Sequence, residues 1–174
     1  MNNLTNQELA PDFNDPLGLL KACHLRMLGF CNLLEKMQKH IRVNGIDTDV
    51  KQSAQKIHRY FSTAGAFHHK DEEQDLFPLL IGSSPALTTI IHSLEQDHNK
   101  LDEHWEKLSP LLATPSSIEK DETFNQYITD FCEAYRTHID TEEKNLLPMA
   151  QHVLNKEQLH QLGKNMKERR EKSY

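Results

Sequence analysis

Four segments of this chain carry apolar side chains at the three- and four-residue spacing of an α-helix, and in each segment a histidine interrupts the apolar stripe. The interrupting residues are His24, His68, His98 and His138. In the second and fourth segments a glutamate follows one turn later on the same stripe, namely Glu72 and Glu142. Because the apolar stripe of an amphipathic helix faces the protein core, the pattern predicts that four imidazoles and two carboxylates meet inside one helical bundle.

Capping signals divide the chain into four long helices joined by short loops. The pairs Asp15-Pro16 and Ser84-Pro85 are predicted to open the first and third helices, since these residue types favour the N-cap and the first helical position. The second helix is predicted to run over about residues 47–82, and a capping-box pattern at Ser116 is predicted to open the fourth. Long helices with short connections pack as antiparallel neighbours.

The predicted fold class is therefore all-α, an up-down four-helix bundle with a short polar C-terminal segment. We expect a polar N-terminal extension over residues 1–14, the bundle over residues 15–153, and a polar C-terminal helix or tail over residues 154–174. Asn155 is the predicted N-cap of that last segment. The chain has only six glycines and seven prolines, too few for the frequent turns of an all-β protein.

The donor set predicts a metal site with two ions. An ionised carboxylate in a protein core has to be paired, protonated or bound to a metal, because its desolvation is costly. Residues one turn apart share a helix face, so His68 with Glu72, and His138 with Glu142, can each grip a cation together. Four nitrogens and two carboxylates are too many for one ion and fit two ions bridged by the carboxylates. A ligand set of imidazoles and carboxylates without a thiolate favours iron, with manganese or zinc as alternatives.

An internal repeat supports this interpretation. The segments His68–Pro78 and His138–Pro148 both read His-x3-Glu-Glu-x2-Leu-x-Pro, and a single histidine precedes each at a similar distance. The chain is therefore predicted to consist of two helical hairpins related by a pseudo-twofold axis, each supplying two histidines and one glutamate. The prolines are expected to kink or end their helices just past the ligands.

At these residues the sequence resembles the hemerythrin-like HHE cation-binding family, over about residues 15–153. The resemblance implies a non-haem, oxo- or hydroxo-bridged di-iron centre with Glu72 and Glu142 as bridges. The ligands it implies are His24, His68, Glu72, His98, His138 and Glu142. Oxygen-carrying hemerythrins have a fifth histidine one turn after the third-helix histidine, where this chain has Asp102. The symmetric four-histidine form is more similar to bacterial hemerythrin-like and iron-cluster repair proteins.

Three functions follow as hypotheses. The first is a di-iron protein that binds a small diatomic ligand or oxidant, O2 or NO, for sensing, scavenging or iron handling, and that is a metal- and ligand-binding protein rather than a classical enzyme. The second is repair of oxidatively or nitrosatively damaged iron–sulfur clusters by iron donation. The third is a metal-free helical interaction module whose core histidines are only hydrogen-bonded, and this hypothesis predicts that a chelator leaves thermal stability unchanged.

Other acid and histidine residues are weaker ligand candidates. His69 and Glu73 fall on a more polar stripe than their neighbours, so they are predicted to lie outside the site. The elements Glu95-x-x-His98 and Glu157-x-x-His160 match a motif of ferritin-like di-iron bundles, but the second lies in the polar tail. The histidines without a repeat partner are predicted to be surface residues, namely His40, His58, His92, His104, His152 and His160.

Charge and apolar content restrict the partners and the location. A net charge of -6 disfavours nucleic acid, whose binding requires neutralised phosphates. The longest apolar run, Phe77–Ile81, is far shorter than the roughly 20 residues of a membrane-spanning helix, so no membrane partner is expected. The first residues lack the pattern of a secretory signal, so a cytoplasmic protein with three reduced cysteines is expected. The sequence leaves a homo-oligomer or another protein partner open.

Overall fold

Four helical rods form a closed bundle in the computed structural model, which describes residues 11–172. Each rod packs on the next along the chain, and the first also packs on the fourth. No strand occurs among the described residues, which confirms the predicted all-α class. Residues 1–10 of the predicted N-terminal extension and residues 173 and 174 of the tail lie outside the described range.

Two of the rods are single helices and two are composed of shorter pieces. Rod 1 is α1 (Pro16–Asn44), and rod 3 is α5 (Pro85–Ala113). Rod 2 joins α2 (Thr48–Tyr60), α3 (Ala66–Asp71) and α4 (Phe77–Leu80) through two π-helical turns, Phe61–Gly65 and Glu72–Leu76. Rod 4 joins α6 (Phe124–Thr141) and α7 (Leu147–Val153) through a third π-helical turn, Glu142–Leu146. One further helix, α8 (Lys156–Glu171), follows rod 4.

The predicted caps of the first, third and last helices are present. The side chain of Asp15 accepts a hydrogen bond from the Gly18 amide, and that of Ser84 accepts one from the Leu87 amide. Asn155 forms a complete capping box at the start of α8. Each of these side chains satisfies an amide that the helix itself cannot bond.

The predicted start of the fourth helix is wrong. The segment after Pro115 forms a short 3₁₀ helix, Pro115–Lys120, and α6 begins only at Phe124. Asp121 accepts hydrogen bonds from both the amide and the hydroxyl of Thr123, and this local turn restarts the chain as a helix. A sequence pattern for a cap does not distinguish a 3₁₀ turn from the first turn of an α-helix.

The π-helical turns shift the buried face of rods 2 and 4 by one residue. A π turn contains an extra residue, so the apolar stripe predicted from a regular helix continues one position later after it. Leu80 rather than Leu79 is fully buried after the turn in rod 2, and Ala150 rather than Met149 after the turn in rod 4. The turns end two residues before Pro78 and Pro148, and after these prolines rod 2 ends at Leu80, whereas rod 4 continues to Val153.

Two apolar clusters enclose the layer of histidine and glutamate side chains. On rod 1, Leu20 belongs to one cluster and Met27 to the other, with His24 between them. On rod 3, His98 is flanked in the same way by Leu94 and Leu101. The polar layer is therefore sealed at both ends by packed side chains, which exclude bulk water.

Helix α8 packs across the bundle rather than extending from it. It buries Leu162, Gly163 and Met166 against the cluster that contains Leu20. Arg169 and Arg170 both bond the buried carboxylate of Asp71, which directly precedes Glu72 in rod 2. The basic C-terminal segment thus has an acidic partner within the same chain.

We expect Gly163→Ala to destabilise the protein. A Cβ atom at this position would lie 1.8 Å from the carbonyl oxygen of Phe13, and a backbone atom cannot move aside cheaply. Such overpacking costs about 1–3 kcal/mol in the free energy of unfolding, measured by urea denaturation. Gly29→Ala is the matched control: no atom lies within 4 Å of its Cβ, so helix propensity makes this change stabilising. Equal effects of the two changes would contradict the packing of α8 on Phe13.

One helix among the described residues, α1, is long and apolar enough to cross a membrane by length and composition alone. Core helices of soluble proteins pass the same test. The most apolar face of α1 lies inside the bundle, where Leu20, Met27, Cys31 and Leu34 are fully buried. Packing in the core therefore accounts for part of its apolar character, since Leu25 and Val43 of the same helix are exposed.

Candidate metal centre

The structure brings the six predicted donor residues together between the two apolar clusters. Each of the four rods contributes one histidine, and rods 2 and 4 each add the glutamate one turn later. All six residues are at most 1% exposed, namely His24, His68, Glu72, His98, His138 and Glu142. Whether they bind metal is decided by the direction in which their donor atoms point.

Rods 1 and 2 form one half of the site. The Nε2 atoms of His24 and His68 lie 3.1 Å apart. His68 Nε2 is 2.9 Å from Oε1 of Glu72, and His24 Nε2 is 3.0 Å from Oε2 of Glu142. Two nitrogens and one oxygen from each carboxylate therefore surround a common point.

Rods 3 and 4 form the other half with the same two carboxylates. The Nε2 atoms of His98 and His138 are also 3.1 Å apart. His98 Nε2 is 3.3 Å from Oε2 of Glu72, and His138 Nε2 is 3.4 Å from Oε2 of Glu142. Each carboxylate thus faces both histidine pairs, which is the placement that a bridging ligand requires.

The carboxylate oxygens point at the imidazole nitrogens without accepting hydrogen bonds from them. The four carboxylate oxygens of Glu72 and Glu142 are buried, and no hydrogen bond reaches them from any residue that the structure describes. The imidazole nitrogens are close enough, but their geometry is not that of donors to these oxygens. Buried carboxylates without donors are costly, whereas metal ligands point at a shared cation in this way. The residues therefore fit a pair of metal ions.

The electrostatics of the cluster favour positive charge at its centre. Burial disfavours a charged imidazole, but contact with Glu142 and Glu72 outweighs it and raises the pKa of His24 to about 11. Burial also disfavours the charged forms of His68 and His98, but nearby glutamates outweigh it. They raise the pKa of His68 to about 9 and that of His98 to about 10. Burial would raise the pKa of Glu72, but the imidazoles around it hold that pKa well below its usual value. Bound cations would supply the same positive charge.

Two outer carboxylates orient the inner imidazoles, and of these the sequence placed Glu73 outside the site and made no prediction for Glu143. The Nδ1 atom of His24 lies 2.8 Å from Glu143, and that of His98 lies 2.7 Å from Glu73. Each outer glutamate belongs to the repeat motif but reaches a histidine of the other hairpin. A carboxylate at Nδ1 fixes the tautomer that leaves Nε2 free for a metal. The second glutamate of His-x3-Glu-Glu was the available signal for this role.

His69 is a further residue that the sequence placed outside the site. Its Nε2 is buried and has no hydrogen-bond partner among the described residues. Its ring stacks on that of His98, with the centroids 4.1 Å apart. Burial, followed by the neighbouring His98, lowers the pKa of His69 well below its usual value.

The other predicted surface histidines do not reach the cluster. His92 pairs with Glu95, and His40 pairs with Asp47, both at the protein surface. His58 contacts the hydroxyl of Ser109. Asp102, one turn after His98, has an exposed side chain. These residues belong to no group of potential ligands within the described part of the chain.

The fold and the site define a helical-bundle protein with a buried imidazole and carboxylate metal centre. The family description of the hemerythrin HHE cation-binding domain matches residues 15–150. An uncharacterized protein of Haemophilus influenzae is 33% identical over 159 residues, which cover 91% of this chain and 92% of that protein. The chain belongs to the hemerythrin HHE cation-binding family, whose members bind metal ions, typically iron.

Proposed function

We propose that this chain is a non-haem di-iron protein that binds O2 or NO in sensing, scavenging or iron handling. His24 and His68 hold one iron, and His98 and His138 hold the other. Glu72 and Glu142 bridge the two. The observation that carries the proposal is that both carboxylates face both histidine pairs, with all four of their oxygens free of hydrogen bonds from the described residues.

The protein around the site fixes the imidazole rings and excludes bulk water. Glu143 and Glu73 hold the rings of His24 and His98, and the apolar clusters above and below keep bulk water out. Iron supplies redox chemistry and coordination positions that a diatomic ligand can occupy. A surface groove lined in part by His24, Leu28 and Glu143 reaches the outer edge of the His24 ring.

Anaerobic titration with Fe(II) tests the proposal. We expect two irons per chain, followed by visible charge-transfer bands when O2 or NO is added. A stoichiometry of one, or no spectral response to either gas, would contradict the di-iron proposal. Manganese and zinc are added as competitors, because the same donor set accepts both.

Iron donation to damaged clusters is distinguished by a separate assay. If the loaded protein restores the activity of a cluster enzyme inactivated by peroxide or NO, and loses its own iron in equal amount, the repair hypothesis is supported. Retention of both irons in that assay supports ligand binding instead. The metal-free hypothesis is disfavoured by the carboxylates, because it requires hydrogen-bond donors that none of the described residues provides.

A further inference from the structure

We propose that the surface groove between rods 3 and 4 is the entry site for divalent metal ions, with Asp97 as the carboxylate that delivers an ion to the side of the core at His138. The inference rests on the proposed di-iron function and adds the route by which the site is loaded. Three features of the molecule support it: the charge of the groove, an unbonded ring nitrogen beside it, and the opposite charge of the equivalent groove in the first hairpin.

The groove between rods 3 and 4 is acidic. Its lining contains the carboxylates of Asp97, Asp130 and Glu133, the imidazole of His104, and the single ammonium group of Lys100. The ammonium group lies 3.5 Å from Asp97 at an exposed position, where such a pair is weak and a divalent cation can displace it. Carboxylates that line a concave surface raise the local concentration of cations.

A buried ring nitrogen faces this groove without a hydrogen bond. His138 is 1% exposed, and its Nδ1 atom has no hydrogen-bond partner among the described residues. Oδ2 of Asp97 lies 4.0 Å from that nitrogen, which is too far for a hydrogen bond. An ion bound at about 2.1 Å from each of two donor atoms fits a gap of roughly 3–4 Å. The carboxylate of Asp97 and the ring of His138 can therefore hold a cation between the groove and the core.

The ring of His138 is also free to turn. Glu143 and Glu73 hold Nδ1 of His24 and His98 at 2.8 and 2.7 Å, so turning those rings breaks a hydrogen bond to a carboxylate. The ring of His138 has no such bond among the described residues. Its Nε2 lies 3.4 Å from Glu142, so a turn of this ring opens a path from the groove to a bridging carboxylate.

The equivalent groove in the first hairpin has the opposite charge. It lies between rods 1 and 2, and the charged residues in its lining are both basic, namely Lys56 and Arg59. Tyr60 occupies the position of Asp130 in the repeat and replaces its carboxylate with a phenol ring. A cation is therefore attracted to the second hairpin and repelled from the first, although the two hairpins supply the same kinds of ligand.

The groove at the outer edge of the His24 ring is less suited to a cation. The guanidinium group of Arg136 lies in its lining, and Glu143 there already bonds Nδ1 of His24. Asp140 in the same lining is paired with Lys144 at 2.7 Å. The groove between rods 3 and 4 combines free carboxylates with an unbonded imidazole nitrogen, and this combination favours it as the entry site.

Initial rates of Fe(II) uptake test the entry site. Metal-free protein is mixed anaerobically with Fe(II) at low ionic strength, where uptake is first order in iron, and bound iron is measured after a chelator quench and desalting. In Asp130→Asn/Glu133→Gln we expect the initial rate to fall about 10-fold, because the attraction of the groove for cations is lost. The final content should remain two irons per chain. Added salt should narrow the difference, since it screens exposed charges.

Asp97→Asn separates delivery of the ion from its attraction to the groove. This change keeps the two outer carboxylates and removes the one beside His138. We expect the initial rate to fall about 10-fold at both low and high salt, because a contact of this length lies well inside the screening distance. The final iron content should again be unchanged.

Asp49→Asn/Glu157→Gln is the matched control, because it removes the same two types of charge from exposed positions on α2 and α8. Its uptake rate and iron content should equal those of the unmodified protein. Equal slowing in this control, or unchanged rates in both groove variants, would overturn the entry site while leaving the di-iron proposal intact. Loss of a bound iron in a groove variant would also overturn it, because the altered residue would then be a ligand. Failure of the unmodified protein to take up two irons would overturn both proposals.

Discussion

Replacing Glu72 with glutamine is expected to release iron from both halves of the site. One oxygen of Glu72 faces His68 and the other faces His98, so the change removes a charged donor from each position. Removing an outer contact to a ligand already costs about 10–100-fold in metal affinity, and loss of a bridging ligand should exceed about 100-fold. The measurement is the iron content per chain after desalting into a ferrous chelator.

Two other glutamates serve as comparisons for this experiment. Glu73→Gln weakens only the hydrogen bond to Nδ1 of His98, so a loss of about 10-fold at one iron is expected. Glu103→Gln changes an exposed residue of α5 and should have no effect. Retention of both irons by Glu72→Gln, or an equal loss in Glu72→Gln and Glu73→Gln, would show that Glu72 does not bridge the metals.

Iron is expected to raise the thermal unfolding midpoint by about 8–16 °C. Saturating a site at 1,000 times its dissociation constant stabilises the folded state by about 4 kcal/mol. For a chain of this size each kcal/mol moves the midpoint by about 2–4 °C. The stabilisation arises because the donors are assembled only in the folded bundle, with one histidine from each rod. Calorimetry with and without Fe(II) under anaerobic conditions measures the shift.

The double variant Glu72→Gln/Glu142→Gln is the control for the thermal experiment. It keeps all four imidazoles and removes both carboxylates that face the two halves of the site. Its midpoint should not respond to iron. Identical midpoints for iron-loaded and chelator-treated unmodified protein would contradict a metal centre in the core.

Much of the fold was predictable because helical periodicity is a local property of the sequence. The stripe through His98 lies on one uninterrupted α-helix, and the apolar residues at helical spacing around His98, namely Ile91, Leu94 and Leu101, are all buried. The caps at Asp15 and Ser84 depend only on residues within one turn. The family resemblance based on the repeated motif is confirmed by the match over residues 15–150.

The prediction was less accurate where the helices depart from regular geometry. An extra residue in a π turn leaves no reliable mark in the sequence, so regular helical spacing from Leu146 points to Met149, whereas Ala150 is the buried residue. The same phase argument placed His69 on the polar face, although its Nε2 is enclosed by the site.

The sequence by itself determined that four helices each present a histidine to a common core and that two of them add a glutamate, because both facts depend on spacing within single helices. Only the tertiary structure decided which donors share a point, that Glu73 and Glu143 cross to the opposite hairpin, and that Arg169 and Arg170 of α8 bond Asp71. These contacts join residues far apart in the chain, and their geometry is set by how the rods pack against each other.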